Sequence, residues 1–268
     1  MTFSNEELYD FLEEKYLQYN QISFIENDPI SIPHCFERVE DIEIAAFLTA
    51  TISWGQRVSI IKSARKLMGM MDNSPHQFIL HHSDKEIKPL RQFVYRTFNG
   101  RDCHCFITSL RNIYANHGGI HQIFSSSISK KDADIQPGIR AFRKAFFELN
   151  TLQRTEKHFS DPDKNSSSKR INMFLRWMIR KDKTGVDFGL WKDIKPSVLA
   201  CPLDVHTGRV ARALGLLDRK QNDWKAVLEL TDRLKTFDKN DPVKYDFALF
   251  GLGVFEGFGK CGIHEPKS

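Results

Sequence analysis

From Cys201 to Leu217 the chain reads CPLDVHTGRVARALGLL, and this stretch constrains one helix together with both of its ends. Pro202 and Leu203 are extended. Asp204 caps a helix that starts at Val205, its carboxylate accepting from the free N–H groups of the first turn. Val205, Val210, Ala213, Leu214 and Leu217 recur near a helical period, and Gly215 is an end signal. His206, Arg209 and Arg212 fall off the apolar stripe. On these grounds alone the segment is either an ordinary capped core helix or a site offering a carboxylate at a helix N-terminus with two arginines on the following turns.

Helical periodicity recurs along the rest of the chain, without sustained strand alternation, so an all-α fold is expected. Residues 4–18 read as a helix capped by Ser4, with Leu8, Phe11, Leu12 and Tyr16 on its apolar side. A second helix starts near Asp41 and runs through IEIAAFLTATIS to Gly55. A third covers Val58 to Met70. Further helices are expected over His104–Tyr114, from Ile139 to Leu149, and from Trp224 to Leu234 behind an Asp223 cap. Asp241 and Pro242 read as the capped start of a last, buried helix. Asp246 within it needs an internal donor. The GLG at 251–253 lacks a preceding strand and a G-x-G-x-x-G pattern, so close helix packing explains it better than phosphate binding. The tail at His264–Glu265–Pro266 reads as frayed.

The 268 residues suffice for one large domain or two smaller ones. A formal charge of +5 is compatible with a phosphate-binding face without proving one. Five cysteines stand at 35, 103, 105, 201 and 261 without zinc spacing, so no metal centre is expected. The segment MTFSNEELYDFLEEKY is acidic and amphipathic, unlike a signal peptide. No long uncharged apolar run spans a membrane. A reduced, cytoplasmic protein is expected.

Several polar residues carry two readings. Gln56 and Arg57, at the junction between two helices, are surface residues or contacts to a ligand. Trp54 is a core residue or a stacking wall. Arg96 lies among Phe93, Tyr95 and Phe98. Aromatics interleaved with arginines grip nucleic acid or describe a solvated helix. In KRINMFLRWMIR, at 169–180, apolar positions surround most of the helix, which indicates deep placement. Arg170, Arg176 and Arg180 are the expected exceptions to burial. Lys169 falls in the first turn, where a cation is electrostatically disfavoured. The same field and partial burial favour its free amine, the form that attacks carbon. Lys169 is then a nucleophile, a phosphate contact or an incidental surface lysine.

The segment LDVHTGRVARALGL resembles the one that follows the hairpin in the helix-hairpin-helix DNA glycosylase superfamily. With WGQR at 54–57, KRINMFLRWMIR at 169–180 and DPVKYDFALFGLG at 241–253, the chain is more similar still to a bacterial family of unassigned function at the edge of that superfamily. In the Lys169–Asp204 spacing it resembles the archaeal oxoguanine glycosylase branch. The resemblance implies two helical lobes with a cleft between them. Residues 1–40 with 205–268 would form one lobe, and 41–204 the other, carrying the Lys169 helix.

It also implies catalytic roles for Lys169 and Asp204. Lysine would form an imine with the sugar of a flipped nucleotide in damaged double-stranded DNA. Asp204 would steady the developing sugar cation, and β-elimination would then cut the strand without cofactor or metal. Trp54, Gln56, Arg57, Arg96, Ser168, Arg170, Arg176, His206 and Arg209 would contact DNA. The expected activity is that of a monomeric repair glycosylase with lyase chemistry on oxidised purines. Its rivals are a noncatalytic DNA-binding protein of the same fold and a helical interaction scaffold. Two departures stand out. The family's L-P-G-x-G hairpin, whose backbone amides hold a phosphate, is replaced by SDPDKNSSSKR. The four-cysteine iron–sulfur loop found in several members has no counterpart in this chain.

Overall fold

The computed structural model describes residues 3–129, 132–149 and 152–259. Cys261 and the His264–Glu265–Pro266 tail lie outside them. The described chain is predominantly α-helical. In order, the helices are α1 (Asn5–Tyr19), α2 (Ser23–Glu26), α3 (Val39–Thr51), α4 (Arg57–Gly69), α5 (Pro75–His81), α6 (Asp84–Ile87), α7 (Gly100–Asn116), α8 (Ile120–Ser127), α9 (Gln136–Phe146), α10 (Lys169–Ile179), α11 (Val205–Ala213), α12 (Trp224–Lys235) and α13 (Asp246–Val254). One antiparallel ribbon, β1 (Val94–Tyr95) with β2 (Phe98–Asn99), pairs Val94 with Asn99 and Tyr95 with Phe98.

Local chemistry sets most of the helix starts. Ser4 and Glu7 close a capping box on α1. Asn99 and Asp102 close another on α7, which begins four residues earlier than the apolar repeat alone suggests. The Asp223 carboxylate caps α12 by accepting from Ala226 N–H. Asp241 departs from expectation. Its side chain does not cap the helix behind it, and Pro242–Tyr245 form a 3₁₀ turn before α13. Its carboxylate instead accepts from Arg180 Nε at 2.8 Å.

α3 is the central element, buried at every residue from Ile42 through Thr51. It packs on α10, α5 and α4. Phe47 sits mid-helix with its ring 5.1–5.8 Å from those of Phe106, Phe142, Phe146, Phe159 and Phe174. Such edge and offset pairs each contribute about 0.5–1.5 kcal/mol beyond area burial. The chain's start returns to its end, with α1 and α11 both packing on α13. Gly251 permits the α1 contact, because a Cβ there would collide with the Tyr19 ring. The buried apolar side chains form one continuous core.

Candidate functional site

Two helix starts bring Lys169 and Asp204 together. Before α10, short 3₁₀ turns at Gln153–His158 and Pro162–Lys164 lead into two left-handed residues, Asn165 (φ 60°) and Ser168 (φ 49°). Neither residue is glycine, the usual occupant of that region. Asparagine tolerates that region better than serine does. α10 then begins at Lys169. Across the cleft, Asp204 caps α11, one carboxylate oxygen accepting from His206 N–H (2.8 Å) and Thr207 N–H (3.0 Å). Its other oxygen faces Lys169 Nζ at 3.7 Å, and the two side chains remain 24% and 26% exposed. Both therefore reach solvent.

The pair lines a cavity of about 490 Å³, within the range of small-ligand sites. Trp54, Ile60, Met173, Phe250 and Val254 supply apolar wall, and Asp28, Arg57, Arg170 and His206 supply polar groups. Trp54 is held from three sides. Its ring stacks on His158 (5.9 Å) and meets Tyr95 edge-on (5.4 Å), while Arg170 lies over it at 4.9 Å. Tyr95 Oη also donates to the Trp54 carbonyl at 2.7 Å. A ring held this way is a fixed part of the cavity wall.

Charge in the cavity is uneven. Burial pushes the Asp204 carboxyl up, but the Lys169 ammonium and the two capping N–H groups outweigh it and hold the group below its ordinary value. Burial raises Asp28 despite its Ile30 N–H bond (3.1 Å) and nearby cations. Beneath the cavity, burial pushes Asp246 up to about 6 against the pull of Arg176, with Lys169 and Asp204 also acting on it. Arg170 has no ion-paired carboxylate among the described residues, and burial lowers it to about 10. Among the described residues, no cluster of three or more His, Cys, Asp or Glu side chains is arranged to hold a metal ion.

Of the eleven residues singled out from sequence, Trp54, Arg57, Lys169, Arg170, Asp204 and His206 line the cavity. Gln56 is exposed at the N-cap position of α4 without a side-chain cap bond. Arg96 is exposed at the turn of the ribbon, at φ 53°, and leans over Gly55, whose positive φ (104°) and missing Cβ leave room for it.

Four expectations need correction. Arg176 is 4% exposed and pairs with Asp246 and Asp187, so it cannot reach a DNA phosphate. Its neighbour Arg180, expected at the surface with it, is fully buried against Asp182, Asp187 and Asp241. Ser168 is buried, its hydroxyl turned to the Ser166 carbonyl at 3.3 Å, so it offers no side-chain contact. Arg209 is committed to the carbonyls of Phe258 (3.1 Å) and Gly253 (3.0 Å), tying α11 to the chain after α13.

Sequence reasoning missed Asp28, Met173 and Phe250. Asp28 carried a signal, since Asp-Pro is the capped start of a turn. Nothing local shows that this turn borders the cavity.

A family model described as "Protein of unknown function (DUF2400)" matches residues 28–255, and the chain belongs to that family. No curated protein and no solved structure matches it. No helix among the described residues is long and apolar enough to cross a membrane.

Proposed function

We propose that this member of the family is a helix-hairpin-helix-type DNA glycosylase with lyase activity, acting on oxidised purines or related lesions in duplex DNA. The observation that carries the reading is the Lys169–Asp204 pair, 3.7 Å apart, reaching solvent in a cavity of about 490 Å³. An amine beside a carboxylate, with an aromatic wall for a flipped base, is the equipment that base excision through an imine requires. The protein would act as a cytoplasmic monomer that associates with the nucleoid, in two lobes.

Lys169 begins as the cation of an ion pair, so a proton must leave to solvent before attack, and both side chains reach solvent while Asp204 stays ionised. The nitrogen lone pair then bonds to C1′ as the N-glycosidic bond breaks. The bonding electrons depart with the base, which takes up a proton. Opening of the sugar ring, with transfer of the second amine proton to O4′, yields the imine. Loss of a C2′ proton then expels the 3′ phosphate. Asp204, anionic and fixed by its two N–H bonds, opposes the positive charge that develops on the sugar. The same ion pair favours a second reading, a noncatalytic DNA-binding protein in which Lys169 stays an ammonium.

Borohydride trapping separates the two. Wild type should yield a covalent adduct with oxidised-purine duplex, and Lys169→Gln should yield none while its circular dichroism stays helical. Arg170 cannot substitute, because a guanidinium stays protonated. Equal trapping by wild type and folded Lys169→Gln refutes the nucleophile. Absence of trapping and excision across oxidised, deaminated, alkylated and abasic duplexes, with binding retained, selects the noncatalytic reading.

A further inference from the structure

Two arginines of the cavity form no ion pair with a carboxylate among the described residues, although Arg57 is near enough to Asp28 to act on its charge. Arg57 lies flat over Phe250 (4.8 Å) and Phe255 (5.0 Å). Its Nη2 is enclosed and without a hydrogen-bond partner. Arg170 stacks on Trp54 and donates to the backbone carbonyls of Thr51 and Lys157, which satisfy hydrogen bonds but supply no negative charge. Arg176 and Arg180, by contrast, are surrounded by carboxylates. The two fully enclosed arginines of α10 are thus neutralised, while the two at the cavity are left without an ion pair among the described residues.

The backbone adds to the imbalance. Arg57 opens α4 and Arg170 is the second residue of α10, and neither helix has a side-chain cap. The positive ends of both helices therefore border the same space as the two guanidinium groups. The carboxylates at hand are already engaged. Asp204 faces Lys169 and caps α11. Asp28 accepts from Ile30 N–H.

We propose that Arg57 and Arg170 together hold one backbone phosphate of the DNA strand, beside the nucleotide whose sugar meets Lys169. They thereby replace the glycine amides that the hairpin lacks. A guanidinium fork matches phosphate oxygens. The apolar wall of Trp54, Met173, Phe250 and Val254 is left for the sugar and base. This inference rests on the nucleic-acid part of the proposed function and not on its chemistry.

The test uses duplexes with an uncleavable tetrahydrofuran abasic site and a single neutral methylphosphonate, placed in turn at each flanking phosphate. Affinity is measured by fluorescence anisotropy across a salt series. One position should weaken wild-type binding by about tenfold or more, the loss of a charge-assisted hydrogen bond. Arg57→Gln and Arg170→Gln should each lower the slope of log affinity against log salt by about 1. Neither should lose more on that one neutralised duplex. Arg57 makes no hydrogen bond to the described protein, so its variant carries the test even if Arg170→Gln misfolds.

Losses that add at every methylphosphonate position, or a wild type indifferent to all of them, overturn the subsite. If the coupling is found but Lys169 traps no imine, the catalytic reading fails and the subsite stands. If the imine forms without the coupling, the subsite alone fails. No binding at low salt overturns both.

Discussion

Arg176 Nη1 lies 2.5 Å from Asp246 Oδ2, joining α10 to α13 directly beneath the cavity. The same guanidinium reaches Asp187 at 3.3 Å and covers the Phe247 ring at 4.3 Å. Breaking one side of a buried pair leaves an uncompensated charge and costs about 3–5 kcal/mol. Arg176→Leu should therefore lower the midpoint of urea unfolding sharply, and Arg176→Lys should recover only part of the loss because it cannot serve both carboxylates in a planar fork.

The same pair shapes the acid limb of stability. Asp246 titrates near 6 in the folded protein, above its ordinary 3.8, because burial outweighs the attraction of Arg176. Between those values the folded form binds more protons than the unfolded one. This group's contribution is fully present below pH 3.8 and is lost as pH rises through about 6. Asp204, held below its ordinary value, contributes in the opposite sense, with stability lost as pH falls through its folded pKa. Denaturant titrations from pH 4 to 7 should give a steeper rise with pH for Asp246→Asn than for wild type. Identical slopes would remove Asp246 from this account.

Asp204 caps α11, and on the proposed chemistry it also serves catalysis, so the two duties can be separated. Asp204→Asn keeps an oxygen for the His206 and Thr207 amides, so stability should change by less than about 0.5 kcal/mol while turnover collapses. Asp204→Ala should lose both, with about 1 kcal/mol of stability gone. Thermal melts beside single-turnover excision assays distinguish the two. Equal turnover by the Asn variant and wild type would leave Asp204 only as a cap.

Two glycines predict opposite outcomes for one substitution. Gly251→Ala drives a methyl group into the Tyr19 ring and should destabilise by about 1–3 kcal/mol, because the α1–α13 contact must open. Gly69→Ala meets nothing within 4 Å and should be neutral or stabilising by up to about 1 kcal/mol. Melting temperatures of the two single variants decide the matter.

What could be read from sequence was what local chemistry dictates. The Asp204 cap joins groups two and three residues apart, and the Lys169 start follows a stretch that cannot continue a helix. Both are visible in a short window. The fate of Arg176 is not, because its partners stand 11 and 70 residues away and an arginine on an apolar helix reads the same whether paired or exposed. The ribbon at 94–99 escaped for a different reason. Each strand has two residues, too few to show alternation, although Phe93, Tyr95 and Phe98 were legible as anchors and are buried. That SDPDKNSSSKR holds no glycine was plain in the letters, but its two left-handed residues were not.

The uninterrupted burial of α3 from Ile42 to Thr51 bears on how the cleft can breathe. These residues lie wholly in the core, so their amides should be among the slowest to exchange with solvent. Ser53 and Trp54 follow one residue after this helix, so their wall of the cavity is anchored to the core. The facing wall, at Asp204–His206 and Phe250–Val254, belongs to α11 and α13, which pack against each other and α1. Deuterium uptake should accordingly be slowest along α3 and faster along α11, and any widening of the cavity falls to the α11–α13 side.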